Sequence, residues 1–268
     1  NQEKKIPSDM IGDIAILKFS RETSEKEKKK LAKGFLEKNK QIKTLFEKTG
    51  KIKGRLRKAE LKFLAGEKKN ETVYKENGCS FKFDVNETYF SPRLSWNRQV
   101  VADDILKYIT SKKNKILVMF AGVGPYPIVV AKRLKEKGIK AMIISSELNK
   151  KASEYAEENV KLNKLQDYVF VVKGDSKKIG EKLKELKKPA IFDFVVMPRP
   201  NLKETFLKES LALGKKGTRY YYHGFGTEEK VMREIIKDTG NKIGKIGLRK
   251  AGEIGVREYR WLVEFEKK

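Results

Sequence analysis

Cysteine and histidine are almost missing from this chain: Cys79 and His223 are single examples in 268 residues. One thiol cannot form an intrachain disulfide, and a metal cluster of cysteines and histidines has no ligands to draw on. Long apolar runs are missing as well. No stretch approaches the ~20 residues that cross a bilayer, and the opening Asn1-Gln2-Glu3-Lys4-Lys5 lacks the apolar core of a signal peptide. The chain therefore reads as cytoplasmic, without metal and without a membrane partner. It has no initiating methionine, so a trimmed start is expected. Acid is scarce relative to base, with 36 Asp and Glu against 62 Lys and Arg and a formal charge of +26. That excess favours a polyanionic partner, nucleic acid ahead of an anionic membrane surface. The abundance of Lys, Glu and Ile suits a heat-adapted source, though genome bias gives the same composition.

At 39% hydrophobic the chain can bury a sizeable core, in one large domain or two modest ones. The N-terminal part reads as a small α+β unit. Residues 11–17 form a strand interrupted at Gly12, and Ser24 caps a very basic helix to about Lys38 whose apolar face carries Leu31, Phe35 and Leu36. Residues 42–46 give another strand, and 51–63 a β-like stretch containing Arg55 and Arg57. A turn follows at 64–70. Residues 72–74 then pair with 81–83 through the hairpin signal Asn77-Gly78. A proline-bearing linker, Tyr89 to Ser95, leads to a helix from about Trp96 to Thr110. This places one domain at 1–88, for RNA binding or support, and a second at 89–268.

From Lys115 strands and helices alternate. Strands at 115–120, 141–146, 168–173, 191–197 and 218–223 precede helices at 127–137, 150–162, 176–186, 202–213 and 227–238. Two final strands, 243–249 and 257–266, are joined by a glycine-rich turn and are expected to pair as a hairpin. Five parallel strands with helical crossovers predict a doubly wound sheet, with ligand at the carboxyl ends of the strands. A terminal antiparallel hairpin suits an α/β, Rossmann-like class I methyltransferase domain better than a dehydrogenase.

Polar features fall where that rule puts a ligand. The first strand ends in Phe120-Ala121-Gly122-Val123-Gly124, whose glycines permit close approach of a ligand to the backbone and to a helix N-terminus. A tight turn alone would also explain them. The second strand ends at Glu147, able to accept from both hydroxyls of a ribose. The third ends at Gly174-Asp175-Ser176, where a carboxylate can meet an adenine amino group or simply cap the next helix. The fourth ends in Met197-Pro198-Arg199-Pro200, a rigid segment with free carbonyls beside the reacting end of the cofactor. His223 reads as structural, since no partner for it can be placed.

These residues resemble the archaeal and eukaryotic methyltransferases that act on position 37 of tRNA, including the guanosine-37 N1-methyltransferase and its wyosine-pathway relatives. The resemblance rests on Ile11-Gly12-Asp13-Ile14-Ala15, Leu64-Ala65-Gly66-Glu67, Lys75-Glu76-Asn77-Gly78, Tyr89-Phe90-Ser91-Pro92-Arg93-Leu94, Phe120 to Pro125, Asn159 to Lys164 and Arg257-Glu258-Tyr259. It runs through nearly the whole chain in order. A further small domain, with which many members check tRNA shape, has no room here.

The resemblance implies S-adenosylmethionine bound by Phe120, Gly122, Gly124, Glu147, Leu148, Asp175, Ser176, Pro198 and Arg98. It implies a flipped base of the anticodon loop near Arg57 or Arg55, with Tyr89, Arg93, Asn97 and Pro198 in the catalytic set. A stacked base must be unstacked before a methyl sulfonium can reach it, and arginines would hold an exocyclic oxygen or a phosphate. The partner is tRNA, and the protein is expected to be a monomer.

Two departures surround the target base. Where N1-methylating members carry a glutamate this chain has Asn97, and an amide is no proton acceptor for guanine N1. The family's Asn-Leu-Pro is Pro198-Arg199-Pro200 here. Carbon 7 of 4-demethylwyosine needs no base poised at N1, so its methylation in tRNA(Phe) is the favoured expectation, with guanosine N1 as the sole or second activity otherwise. An aminocarboxypropyl transferase of the same pathway, a non-catalytic RNA-binding module and a dehydrogenase are the rival readings.

Overall fold

The structure, a computed structural model, describes residues 6–50, 60–110 and 114–268. Arg55 and Arg57 lie outside the described residues.

The chain opens with β1 (Ser8–Ile11) and β2 (Ile14–Leu17), then α1 (Glu25–Lys38), β3 (Thr44–Lys48) and β4 (Leu61–Gly66). These strands make one sheet in the order β1-β2-β3-β4. The stretch 11–17, expected as one interrupted strand, is a hairpin instead, because Gly12 takes a φ of +60° and reverses the chain. Residues 64–66, expected as a turn, remain in β4, paired with β3. Ser24 caps α1 as the sequence indicates, its hydroxyl accepting from the Glu27 amide at 3.2 Å. Ala32, with Phe35 and Leu36 beside it, seals Ala15, Leu17 and Leu45 from solvent.

Next come β5 (Glu71–Glu76) and β6 (Cys79–Asp84), a two-stranded sheet. Asn77 and Gly78 both have positive φ, as the tight two-residue turn of a hairpin requires. A 3-10 turn over Pro92–Leu94 leads into α2 (Ser95–Tyr108). Then follow β7 (Asn114–Val118), α3 (Pro125–Glu136), β8 (Ala141–Glu147), α4 (Lys150–Leu162), β9 (Val169–Lys173) and α5 (Ile179–Glu185). The remainder is β10 (Phe192–Met197), α6 (Leu207–Ala212), β11 (Gly214–Gly226), α7 (Glu228–Thr239), β12 (Gly247–Gly255) and β13 (Glu258–Glu266).

The large sheet runs β12-β13-β11-β10-β7-β8-β9. Strands β7 to β11 are mutually parallel, and β13 and β12 are antiparallel. Alternation along each strand sends successive side chains to opposite faces. Ile116, Val118, Phe194 and Val196 join the core beneath α2, α3 and α4. Leu117, Val195, Met197 and Tyr222 join the one beneath α5, α6 and α7. The doubly wound sheet and its terminal hairpin are as expected, and the order reverses between β7 and β10, where a crevice must open. Two helices are shorter than the sequence suggests. α5 starts only at Ile179, after a turn in which the Asp175 carboxylate accepts from the Lys177 amide at 3.0 Å. α6 starts only at Leu207, because residues 198–206 are held as a loop.

The β5–β6 hairpin docks on α4 through two amides one helical turn apart. Asn159 accepts from the Lys82 N–H at 2.7 Å and donates to the Lys82 carbonyl at 3.0 Å. Asn163 does the same to Ser80, at 2.9 and 2.7 Å. Asn159 also donates to the carbonyl of Val123 in the glycine turn, at 3.0 Å. Cys79 is buried within this hairpin, and burial pushes its thiol up to about 12, which keeps it protonated and unreactive.

Candidate active site

Backbone hydrogen bonds knit the carboxyl ends of the parallel strands together. Met119 N–H donates to the Val196 carbonyl, Ala121 N–H to Ser146 and Gly174 N–H to Glu147, each at 2.9 Å. The loops that follow β7, β8, β9 and β10 therefore emerge side by side. They surround a cleft of about 740 Å³ open to solvent.

Eight of the residues singled out from the sequence line this cleft: Tyr89, Phe120, Gly122, Glu147, Leu148, Asp175, Ser176 and Pro198. Glu147 organises the centre. One of its carboxylate oxygens accepts from the Gly122 N–H at 2.8 Å, and the other from the Asn149 N–H at 2.8 Å. Gly122 has a φ of +58°, and a Cβ there would stand 3.7 Å from the Tyr89 carbonyl oxygen, in the space the cleft occupies. Gly124 does not line the cleft. Its φ of +91° starts α3, and a Cβ would press on Ile128 at 3.0 Å, so that glycine serves helix packing. Phe120 is held at a φ of +56°, a conformation that costs a non-glycine residue free energy, with its ring edge-on to Phe206.

Besides Gly124, three expected site residues are elsewhere. Arg98 is 1% exposed; its guanidinium binds both oxygens of Glu76 and the Ser91 carbonyl, and lies 5.0 Å over the Phe90 ring. All of its donors that matter are spent on holding the β5–β6 hairpin and the Phe90–Ser91 segment against α2. Arg93 projects to the N-terminal sheet, where it pairs with Asp9 at 2.5 Å while its side chain stays largely exposed. Asn97 is buried, its amide donating to the Ala251 carbonyl at 3.4 Å. In the Pro92–Leu94 turn Leu94 lines the cleft and its neighbour Arg93 is exposed, whereas Asn97 and Arg98 are buried on the side of α2 away from the cleft lining.

The structure adds Asn149 and Arg260, which the sequence reading passed over, and sets Arg199 of the Pro198-Arg199-Pro200 segment in the cleft wall. Asn149 caps α4 from within the cleft wall, accepting from the Lys151 amide at 3.0 Å. Arg199 and Arg260 also line the cleft, and both stand over the Phe225 ring, at 5.3 and 5.4 Å. Their chemistry differs. Arg199 donates from Nε to the Tyr222 hydroxyl at 2.7 Å and from Nη1 to the carbonyls of Pro200, Leu202 and Glu204, which holds 198–206 as a loop, and its Nη2 lies 3.7 Å from the Glu234 carboxylate. The Nε of Arg260 is buried without an acceptor among the described residues. A signal for Arg260 existed in the sequence, since it adjoins the Arg257-Glu258-Tyr259 motif, but only pairing with β11 brings it to the crevice.

His223, read as structural, has both roles open to it. It lines the cleft, and its Nε2 lies 3.0 Å from the hydroxyl of Tyr126. Complete burial pushes that phenol up to about 12, so it keeps its proton at physiological pH and the histidine tautomer decides which group donates. Tyr126→Phe removes this partner at a cost of about 1–2 kcal/mol, expected as a lower urea midpoint at unchanged slope. An unchanged midpoint would mean that the bond adds nothing to folding.

The sheet order divides the cleft. Glu147 and Asp175 follow β8 and β9, whereas Pro198, His223 and Arg260 belong to β10, β11 and β13 on the other side of the switch point. The first half offers carboxylates for the hydroxyls of a ribose and an amino group, with a glycine turn for close approach. An adenosine-bearing cofactor fits these groups. The second half has a buried unpaired donor, a histidine and Tyr89. Among the described residues, no group of three His, Cys, Asp or Glu side chains could hold a metal ion, and no helix is long and apolar enough to cross a membrane.

Comparison with known proteins agrees with this arrangement. Residues 72–247 match the family model described as the TRM5/TYW2 methyltransferase domain, and residues 3–69 that of the TYW2 N-terminal domain. The tRNA (guanine(37)-N(1))-methyltransferase Trm5b of Pyrococcus abyssi is 32% identical, over 96% of this chain and 73% of the relative. The tRNA (guanine(37)-N(1))/4-demethylwyosine(37)-methyltransferase Taw22 of Nanoarchaeum equitans is 35% identical, over 94% and 96%. Among solved structures, the complex of aTrm5 with tRNALeu aligns with a TM-score of 0.83 at 26% identity, over 98% of this chain and 72% of that one.

Proposed function

The chain belongs to the TRM5/TYW2 methyltransferase family, and from that premise we propose that it methylates carbon 7 of 4-demethylwyosine at position 37 of tRNA(Phe). At the coarser level it is an S-adenosylmethionine-dependent tRNA methyltransferase acting at position 37. One observation carries the finer reading. The carboxylates that line the cleft, Glu147 and Asp175, both stand in its adenosine half, and at position 97, where the N1-methylating members carry a glutamate, this chain has an amide buried against Ala251. No described carboxylate lines the acceptor half.

In this reading Glu147 holds the ribose hydroxyls and Asp175 the adenine amino group, while Gly122 lets the backbone approach. When bound, the cofactor supplies an electrophilic methyl on a sulfonium. Tyr89 and Pro198 wall the target base, which has left its stack. The electron-rich carbon of the base would bond to that methyl as the methyl–sulfur bond breaks, and the proton on the carbon would leave afterwards. His223, which lines the acceptor half, would take that proton. The unpaired Nε–H of Arg260 supplies a donor for an acceptor atom on the ring. Tyr89 and Pro198 thus keep the roles the sequence suggested, and Arg93, Asn97 and Arg98 act from outside the cleft.

Guanosine N1 methylation is the second reading, favoured by the relative whose name carries both activities. Labelled S-adenosylmethionine with unmodified and 4-demethylwyosine-bearing tRNA separates the two. The carbon reading expects transfer to the modified tRNA at least about tenfold faster, the loss of a general base being worth 10²–10⁴ at N1. Equal transfer to both would reject carbon specificity. Asn97→Glu should raise N1 transfer; no gain would show that position 97 is not what limits it.

A further inference from the structure

A second hollow, of about 760 Å³, lies on the far side of Tyr89 from the cofactor cleft, and Tyr89 lines both. It sits between the N-terminal sheet and the segment that carries Tyr89. Its floor is apolar, with Ile16, Leu61, Phe83 and Val85, and its rim carries Lys18, Lys48 and Arg93 with one acid, Asp9. That single carboxylate is already taken twice, by Lys18 at 3.2 Å and by Arg93 at 2.5 Å. Lys48 is half-buried and, among the described residues, has no carboxylate to pair with. Burial, and then the charge of Lys18, hold its ammonium below the usual lysine range, so it stands to gain from an anion brought from outside.

We propose that this hollow receives the nucleotide flanking the target base, its base against the apolar floor and its phosphate on Lys48 and Lys18. The inference rests on the reading above, that a tRNA base is drawn into the neighbouring cleft. When one base leaves a stack its neighbour loses an aromatic face, and an apolar floor one residue's width away replaces it. Phosphates are the anions that follow a base at every step, and three cations against one acid give the rim its complementary charge. Tyr89 lines both hollows, so a nucleotide entering the second stands next to the base held in the first, as the adjacent nucleotide of the RNA does.

The test is a double-mutant cycle on RNA binding, read by fluorescence anisotropy with anticodon stem-loops. The protein carries Lys48→Met or, as a control for charge alone, Lys30→Met on the exposed face of α1. The RNA is intact or abasic at one nucleotide flanking position 37. Lys48→Met should weaken the intact hairpin about tenfold, well beyond Lys30→Met, with a salt slope reduced by about one. At one flanking position the abasic RNA should cost the wild type several-fold and the Lys48→Met protein less than about twofold, a non-additive pair. Additive losses at both positions, or equal losses for the two lysine variants, overturn the assignment. Methyl transfer to the intact hairpin, carrying 4-demethylwyosine at position 37, is measured alongside. If transfer persists while the cycle is additive, only this inference falls; if the wild type transfers no methyl, the parent reading falls with it.

Discussion

Glu147→Gln should bind S-adenosylmethionine on the order of 100-fold more weakly than the wild type, about 3 kcal/mol by isothermal calorimetry. The substitution keeps the side chain's size and removes one acceptor. In the folded protein, one oxygen of Glu147 receives the Gly122 N–H and the other the Asn149 N–H. A carboxylate can accept on both sides, but an amide has one carbonyl oxygen and presents N–H donors from the other end. Whichever way Gln turns, donor meets donor at Gly122 or at Asn149. The variant therefore loosens the glycine turn and also loses charge-assisted bonds to the ribose. A dissociation constant within threefold of wild type would remove Glu147 from the cofactor site.

Glu76→Gln should be the most destabilising single change, costing about 3–5 kcal/mol because it leaves Arg98 charged in a site where it is 1% exposed. For a chain of this length that is a melting point lower by roughly 6–15 °C. Replacing both partners by methionine should recover part of the loss, since an apolar pair is not penalised as a lone buried charge is. S-adenosylmethionine affinity, measured on protein that remains folded, should change little. A large loss of affinity at an unchanged melting point would return Arg98 to the cofactor site.

The doubly wound sheet, its terminal hairpin and the residues that line one half of the cleft were legible in the sequence because their signals are local. Strand ends, a glycine turn and acids after successive strands fall at fixed spacings, and backbone hydrogen bonds then bring those ends together. Positions whose direction depends on partners far along the chain were not legible. Arg93 and Arg98 belong to a conspicuous motif, yet their carboxylates, Asp9 and Glu76, are 84 and 22 residues away. Nothing near those arginines in the chain shows that their charges are already matched. Arg260 is the reverse case: an ordinary arginine until the antiparallel pairing of β13 with β11 sets it opposite Phe225. Gly12 misled for a different reason, since a glycine within a run of apolar residues permits a reversal as readily as a strand.

The paired amides of Asn159 and Asn163 bear on solubility. A two-stranded ribbon presents unpaired edge groups, which recruit strands from other molecules when left bare. In this hairpin the outward N–H and C=O of Ser80 and Lys82 are occupied by helix side chains, so those two rungs are not free to pair with a neighbouring copy. Aspartate at 159 or 163 would keep the acceptor and lose the donor, leaving one carbonyl of β6 open. Self-association on heating should then begin at this edge, ahead of the well-buried sheet beside it.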